Sequence, residues 1–114
     1  MTLNEIGYQA KEVSRVLGTL GSREKNMGLE EAARALLEDE EEILEANRED
    51  YEKARSGGMS QGLLDRLQLT PARVQAMADG LLQVAALEDP VGEVLSMKLR
   101  PNGLEIGQKR VPLG

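Results

Sequence analysis

The sequence has no cysteine and no histidine. Disulfides, thiol nucleophiles, thiolate metal sites and imidazole acid–base chemistry are therefore excluded together. Tryptophan and phenylalanine are also absent, and the aromatics are Tyr8 and Tyr51 alone. A core must then be built from Leu, Val, Ile, Met and Ala. No long apolar run occurs, so no membrane span is expected. The N-terminal stretch MTLNEIGYQAKEV carries neither a basic n-region nor an apolar h-region, so no signal peptide is expected. A cysteine-free chain fits a cytoplasmic location.

What remains is 114 residues with 40% hydrophobic and 30% charged content and a net charge of −6. That suffices for one soluble domain with a modest core. The acidic balance and scattered basic residues argue against a nucleic-acid or anionic-membrane partner, because phosphate contacts need clustered Lys and Arg.

Ile6, Ala10, Val13, Leu17 and Leu20 recur at helical spacing and predict a helix over residues 3–20, stopped by Gly21. Ser22 is placed as the N-cap of a second helix carrying Leu29, Ala32, Ala33, Leu36 and Leu37, with Gly28 as a weak point. A bend is expected near 38-EDEEE-42. Asn47 is read as the cap of a short helix, 48-REDYEKAR-55, ending at 56-SGG-58. Ser60 is expected to cap another short helix with Leu63, Leu64 and Leu67. Thr70-Pro71 starts a last helix whose stripe is Val74, Met77, Ala78, Leu81, Val84 and Ala85. From Val91 the period changes to two: Leu95, Met97 and Leu99 alternate with polar residues. Pro101-Asn102-Gly103 then turns the chain, and Leu104 and Ile106 resume the alternation, giving a hairpin with one apolar side. The fold class is thus mainly α with a C-terminal β-hairpin.

Candidate chemistry is thin. The carboxylates Glu38 to Glu42 lack the spacing and turn glycine of a calcium loop and read as a solvated helix face. Gly57-Gly58 follows a helix rather than a strand and reads as a helix stop, not a phosphate loop. Ser14, Ser22, Ser56, Ser60 and Ser96 have no histidine base. Met27, Met59, Met77 and Met97 could form an adaptable surface, with Met77 and Met97 expected in the core. No catalytic, cofactor or metal residue is assigned.

Four stretches nevertheless carry a resemblance: the opening AKEVSRVL, 22-SREKNMGLEEAARAL-36, 45-EANREDYEKARSGGMSQGLLDRLQLTPARVQAMADGLLQVAALEDPVG-92 and 103-GLEIGQKRVPLG-114. Together they resemble the N-terminal region of γ-glutamyl phosphate reductases (glutamate-5-semialdehyde dehydrogenases), in the aldehyde dehydrogenase superfamily. The resemblance implies that residues 1–90 are the helical N-terminal part of a nucleotide-binding domain in an α/β fold. It implies that residues 91–110 are a hairpin of an oligomerisation ribbon and that residues 111–114 start the first nucleotide-domain strand. For the full-length parent it implies NADP(H) as cofactor, γ-glutamyl phosphate as small-molecule substrate, a role in proline biosynthesis, and homo-oligomers formed through the hairpin. This chain lacks the catalytic cysteine of that chemistry and is expected to be inactive and to bind no cofactor alone. A parent that is a bifunctional synthase with a preceding kinase domain is a variant of this reading. The alternative is a stand-alone helical interaction or regulatory module without catalysis.

Overall fold

The computed structural model describes residues 1–113. Its elements are α1 (Leu3–Leu17), α2 (Ser22–Glu38), α3 (Glu40–Ser56), α4 (Gln61–Leu67), α5 (Pro71–Ala86), β1 (Val94–Leu99) and β2 (Glu105–Lys109). The expected class holds: five helices, then one antiparallel hairpin. The chain forms two units, one of Asn26–Ala86 and one of Met1–Lys25 with Leu87–Gly114. Gly114, the last residue of the expected strand start, lies outside the described residues.

In the unit Asn26–Ala86, α2 runs unbroken through Gly28, and the expected bend falls at Asp39. A new helix starting there places Glu40, Glu41 and Glu42 in its first turn, where the positive end of the helix dipole favours carboxylates. The same three charges at the end of a continued α2 would lose that gain.

α3 corrects the reading of residues 47–55. It is one helix to Ser56, and Asn47 lies inside it rather than capping a separate one. The reason is a single stripe of half-buried positions, Ile43, Leu44, Asn47, Tyr51 and Ala54, that crosses the supposed break at helical spacing. α3 packs on α4 and α5. Its end is a Schellman motif: Met59 N–H donates to Ala54 O at 3.0 Å, Gly58 N–H to Arg55 O at 3.1 Å, and Gly58 has φ +84°. Gly57-Gly58 is therefore the helix stop that was expected.

Ser60 holds the N-cap position of α4 without a side-chain hydrogen bond. Thr70 caps α5 in full, its Oγ1 accepting Arg73 N–H at 3.2 Å. The core residues are Ala33, Leu64, Val74 and Ala78. On α5 the covered stripe is narrower than expected. Val74 and Ala78 are buried and Leu81 and Ala85 half-buried, whereas Met77 and Val84 are exposed. Met77 is thus not a core residue of this chain, because α3 and α4 reach one side of α5 only.

In the other unit, Thr2 and Glu5 form a capping box at the start of α1. The helix stops at Leu17, short of the expected Leu20, with Gly18 as C-cap. Thr19 and Leu20 continue only as single-turn bonds to Val16 and Leu17. Ser22 is the first residue of α2 rather than its cap, and its hydroxyl donates to Asp89 Oδ2 at 3.0 Å. No described residue of this unit is buried. Ile6, Val13 and Leu17, the stripe that defined α1, are all exposed.

The hairpin departs from the sequence reading in register. Met97 pairs with Gly107, Leu99 with Glu105, Lys98 with Ile106 and Ser96 with Gln108. Directly paired residues share a face, so Ile106 stands with Lys98 and Ser96, opposite the face of Met97 and Leu99. The single apolar side is therefore split. The turn that pairs Leu99 with Glu105 sets this phase, and a bulge between Val94 and Ser96 leaves Leu95 as an extra residue farther along β1. Met97 is exposed rather than a core residue, since two strands offer no covering layer. The turn places Pro101 after Arg100, whose carbonyl accepts Gly103 N–H at 2.9 Å, with Gly103 at φ +89°.

Candidate functional site

A groove of about 580 Å³ opens in the Asn26–Ala86 unit. Leu44, Asn47 and Tyr51 of α3 form one wall, and Leu69, Thr70 and Pro71 form the other. Its organising residue is Asn47. The side-chain Nδ2 donates to Leu67 O at 2.9 Å, and Oδ1 accepts Leu69 N–H at 2.7 Å. One amide thus satisfies both backbone groups that flank Gln68, where the chain leaves α4 in an extended conformation. From the other side, the Arg73 Nη1 donates to the carbonyls of Asp65 and Gln68. The α4–α5 connection is held by these two side chains. Asn47 was missed as a tertiary group, although a signal existed. Asn is a poor mid-helix residue because its side chain competes for backbone groups, so an Asn on the buried stripe of a helix suggests a distant backbone partner.

In the other unit, Asp89 gathers three donors: Lys25 Nζ, Ser22 Oγ at 3.0 Å and Val91 N–H at 3.0 Å. Its side chain is 18% exposed and that of Lys25 28%. The Lys25 ammonium, and then the Val91 N–H, hold the Asp89 carboxyl below the usual carboxylate range. A folded-state pKa lowered in this way contributes stability in full above the ordinary carboxylate range. That contribution is lost as pH falls through the lowered value. Asp89→Asn is expected to lower the denaturation midpoint at neutral pH and to flatten its fall on the acid side. An unchanged acid slope in that variant would remove Asp89 from the account. Glu5, lowered by Thr2, and Glu31, lowered by Arg34, add to the same slope from exposed positions.

The remaining sequence candidates have ordinary structural roles. Glu38 pairs with Arg34 at 2.6 Å on an exposed helix face, where such pairs contribute little. Among the described residues, no group of three acidic side chains is placed to hold a metal ion. Ser14 Oγ donates to Lys11 O within α1, Ser56 ends α3, and Ser96 lies in β1. Met27, Met59, Met77 and Met97 are all exposed and lie on different elements. The structure brings none of these groups together as a nucleophile with a base, or as a carboxylate pair. What it does build is two backbone-fixing clusters and an uncovered apolar helix face.

No family model matches the chain. Curated relatives match almost all of it. The γ-glutamyl phosphate reductase of Lachnospira eligens is 53% identical over 113 residues, which is 99% of this chain and 27% of that protein. The reductase of Heliobacterium modesticaldum is 54% identical over 108 residues, 95% of this chain and 26% of that protein. Among solved structures, the γ-glutamyl phosphate reductase of Thermotoga maritima superposes with a TM-score of 0.92 at 43% identity. It covers 96% of this chain and 27% of that one. The Saccharomyces cerevisiae enzyme gives 0.87 at 31% identity, covering 98% and 29%. The chain thus spans about a quarter of the length of the relatives it matches. Over nearly its whole length, it is homologous to the N-terminal region of γ-glutamyl phosphate reductases.

Proposed function

We propose that this chain serves as the N-terminal quarter of a γ-glutamyl phosphate reductase. That enzyme reduces γ-glutamyl phosphate with NADPH to glutamate 5-semialdehyde and releases phosphate, a step of proline biosynthesis in the cytoplasm. The observation that carries the reading is 53% identity sustained over 113 residues. Residues 1–90 belong to the helical start of the nucleotide-binding part of an aldehyde-dehydrogenase-like fold. Residues 91–110 belong to an oligomerisation ribbon, and residues 111–114 lead into the next strand.

In this assignment the chain is scaffold. NADPH supplies a hydride when bound, and a thiolate elsewhere in the parent displaces phosphate to form the thioester that accepts it. No described residue fits either role. The glycine pair Gly57-Gly58 closes a helix rather than opening one after a strand, so it offers no cradle for a pyrophosphate. The purified 114-residue chain is expected to show no NADP-dependent turnover. A chimera in which it replaces the matching region of the Thermotoga maritima reductase is expected to retain NADPH oxidation with γ-glutamyl phosphate. A soluble, folded chimera without activity, or turnover by the chain alone, would count against the assignment.

The exposed faces fit a scaffold whose cover lies elsewhere. Leu95, Met97 and Leu99 of β1 are all exposed, and a strand edge without a neighbour is a pairing surface. The isolated chain is expected to self-associate through residues 93–110. A monomeric sedimentation profile at high concentration would refute this.

A further inference from the structure

We propose that Asn102–Gly103, at the tip of the hairpin, is a site of spontaneous deamidation. The sequence has four asparagines, and three lie within helices: Asn4 in α1, Asn26 in α2 and Asn47 in α3. Each of those is followed by a residue with a side chain, and Asn47 is engaged at both ends of its amide. Asn102 differs on every count. It is exposed, as is Gly103, and lies in the turn between β1 and β2. Gly103 has no Cβ to obstruct its backbone nitrogen, and nothing lies within 4 Å of the place a Cβ would take.

The reaction needs only water. The Gly103 backbone nitrogen loses its proton to solvent and attacks Asn102 Cγ, forming an N–Cγ bond. The Cγ–Nδ2 bond then breaks, and the leaving nitrogen takes up a proton and departs as ammonia. Water opens the resulting succinimide at one of its two carbonyls. One product is an ordinary aspartate; in the other, the chain runs through the former side chain as isoaspartate.

The turn geometry assists one part of this path and opposes another. Asn102 Oδ1 accepts Leu104 N–H at 3.2 Å. That bond withdraws electron density from Cγ and stabilises the oxyanion formed on attack, as a donor in an oxyanion hole does. Against it, Gly103 N–H donates to Arg100 O at 2.9 Å, and this bond must open first. The hairpin has no buried residue, so local opening at its tip costs little. Both products place a new carboxylate at the tip. Isoaspartate also lengthens the main chain inside the turn closed by Arg100 N–H on Leu104 O.

The test is to incubate the purified chain at mildly alkaline pH and follow each asparagine by peptide mass spectrometry, with isoaspartyl methyltransferase labelling of the product. Conversion at Asn102 is expected to be at least about tenfold faster than at Asn4, Asn26 or Asn47, a barrier difference of about 1.4 kcal/mol. Asn102→Gln should abolish the labelling of the peptide that carries residue 102. The free peptide 99–106 gives the rate without the turn. Complete conversion of that peptide while Asn102 in the chain stays intact would overturn the proposal, as would comparable rates at all four asparagines.

Discussion

Asn47→Ala is expected to destabilise the Asn26–Ala86 unit by about 2–5 kcal/mol, because it leaves two part-buried backbone groups unpaired at once. The Leu67 carbonyl and the Leu69 N–H lose their partners among the described residues, at 2.9 and 2.7 Å. Alanine is the better helix former, so intrinsic propensity predicts a gain of some tenths of a kcal/mol at this mid-helix position. The two expectations have opposite signs. Urea denaturation followed by circular dichroism decides between them, with hydrogen exchange at Leu69 as a local readout. A loss below about 0.5 kcal/mol, the range of ordinary surface changes, would sink the claim that this amide fixes the α4–α5 connection. Asn47→Asp keeps the acceptor for Leu69 N–H but sets an oxyanion against the Leu67 carbonyl. It is expected to recover stability in acid as the carboxyl gains the proton that restores a donor.

Gly107→Val should break the hairpin, although valine is among the best strand formers. A β-branched residue in a strand gains at most about 1 kcal/mol. Here a Cβ at position 107 would lie 2.8 Å from Ser96 O and 2.9 Å from both Sδ and Cε of Met97. The methionine can swing away; the Ser96 carbonyl is backbone and cannot. β2 must then separate from β1 or slip by one residue, and a one-residue slip turns every side chain of the strand over. Overpacking of this kind costs about 1–3 kcal/mol, and no buried residue in the hairpin offsets it. Loss of cross-strand contacts between Met97 and position 107 in nuclear Overhauser spectra is the expected result. The double variant Met97→Ala with Gly107→Ala separates the two clashes. If it pairs as well as the parent hairpin, the side chain was the whole obstacle and the backbone argument fails.

Local chemistry was legible in the sequence, and distant chemistry was not. Thr70-Pro71 and Gly57-Gly58 mark helix ends through interactions spanning three to five residues, and both were read in their observed roles. Asn47 was misplaced because its partners lie 20 and 22 residues away. Ser22 was misread for the same reason, its hydroxyl going to Asp89 instead of to its own helix. The face of Ile106 was hidden because it depends on the turn that pairs Leu99 with Glu105, and strict alternation on each strand says nothing about the phase between them. Met77 and Met97 have apolar spacing suited to cores, yet nothing described in this chain covers them. As for the site, composition and spacing assigned no catalytic group, and the functional reading came from likeness over long runs such as LLDRLQLTPARV.

The unit that holds the hairpin is assembled from both ends of the chain, Met1–Lys25 and Leu87 onward, with Asn26–Ala86 between them. Contacts across so wide a sequence gap carry a high contact order, and closing them is slow. On the ribosome, the lock between Lys25, in the first turn of α2, and Asp89 cannot form until residue 89 has been made. Among the described residues, the Asn26–Ala86 segment contains every buried one and has its own short-range packing, so it can fold while the ribbon is still being translated. The order of synthesis and the order of folding are therefore expected to differ, with the middle of this chain folding before the segment that precedes it.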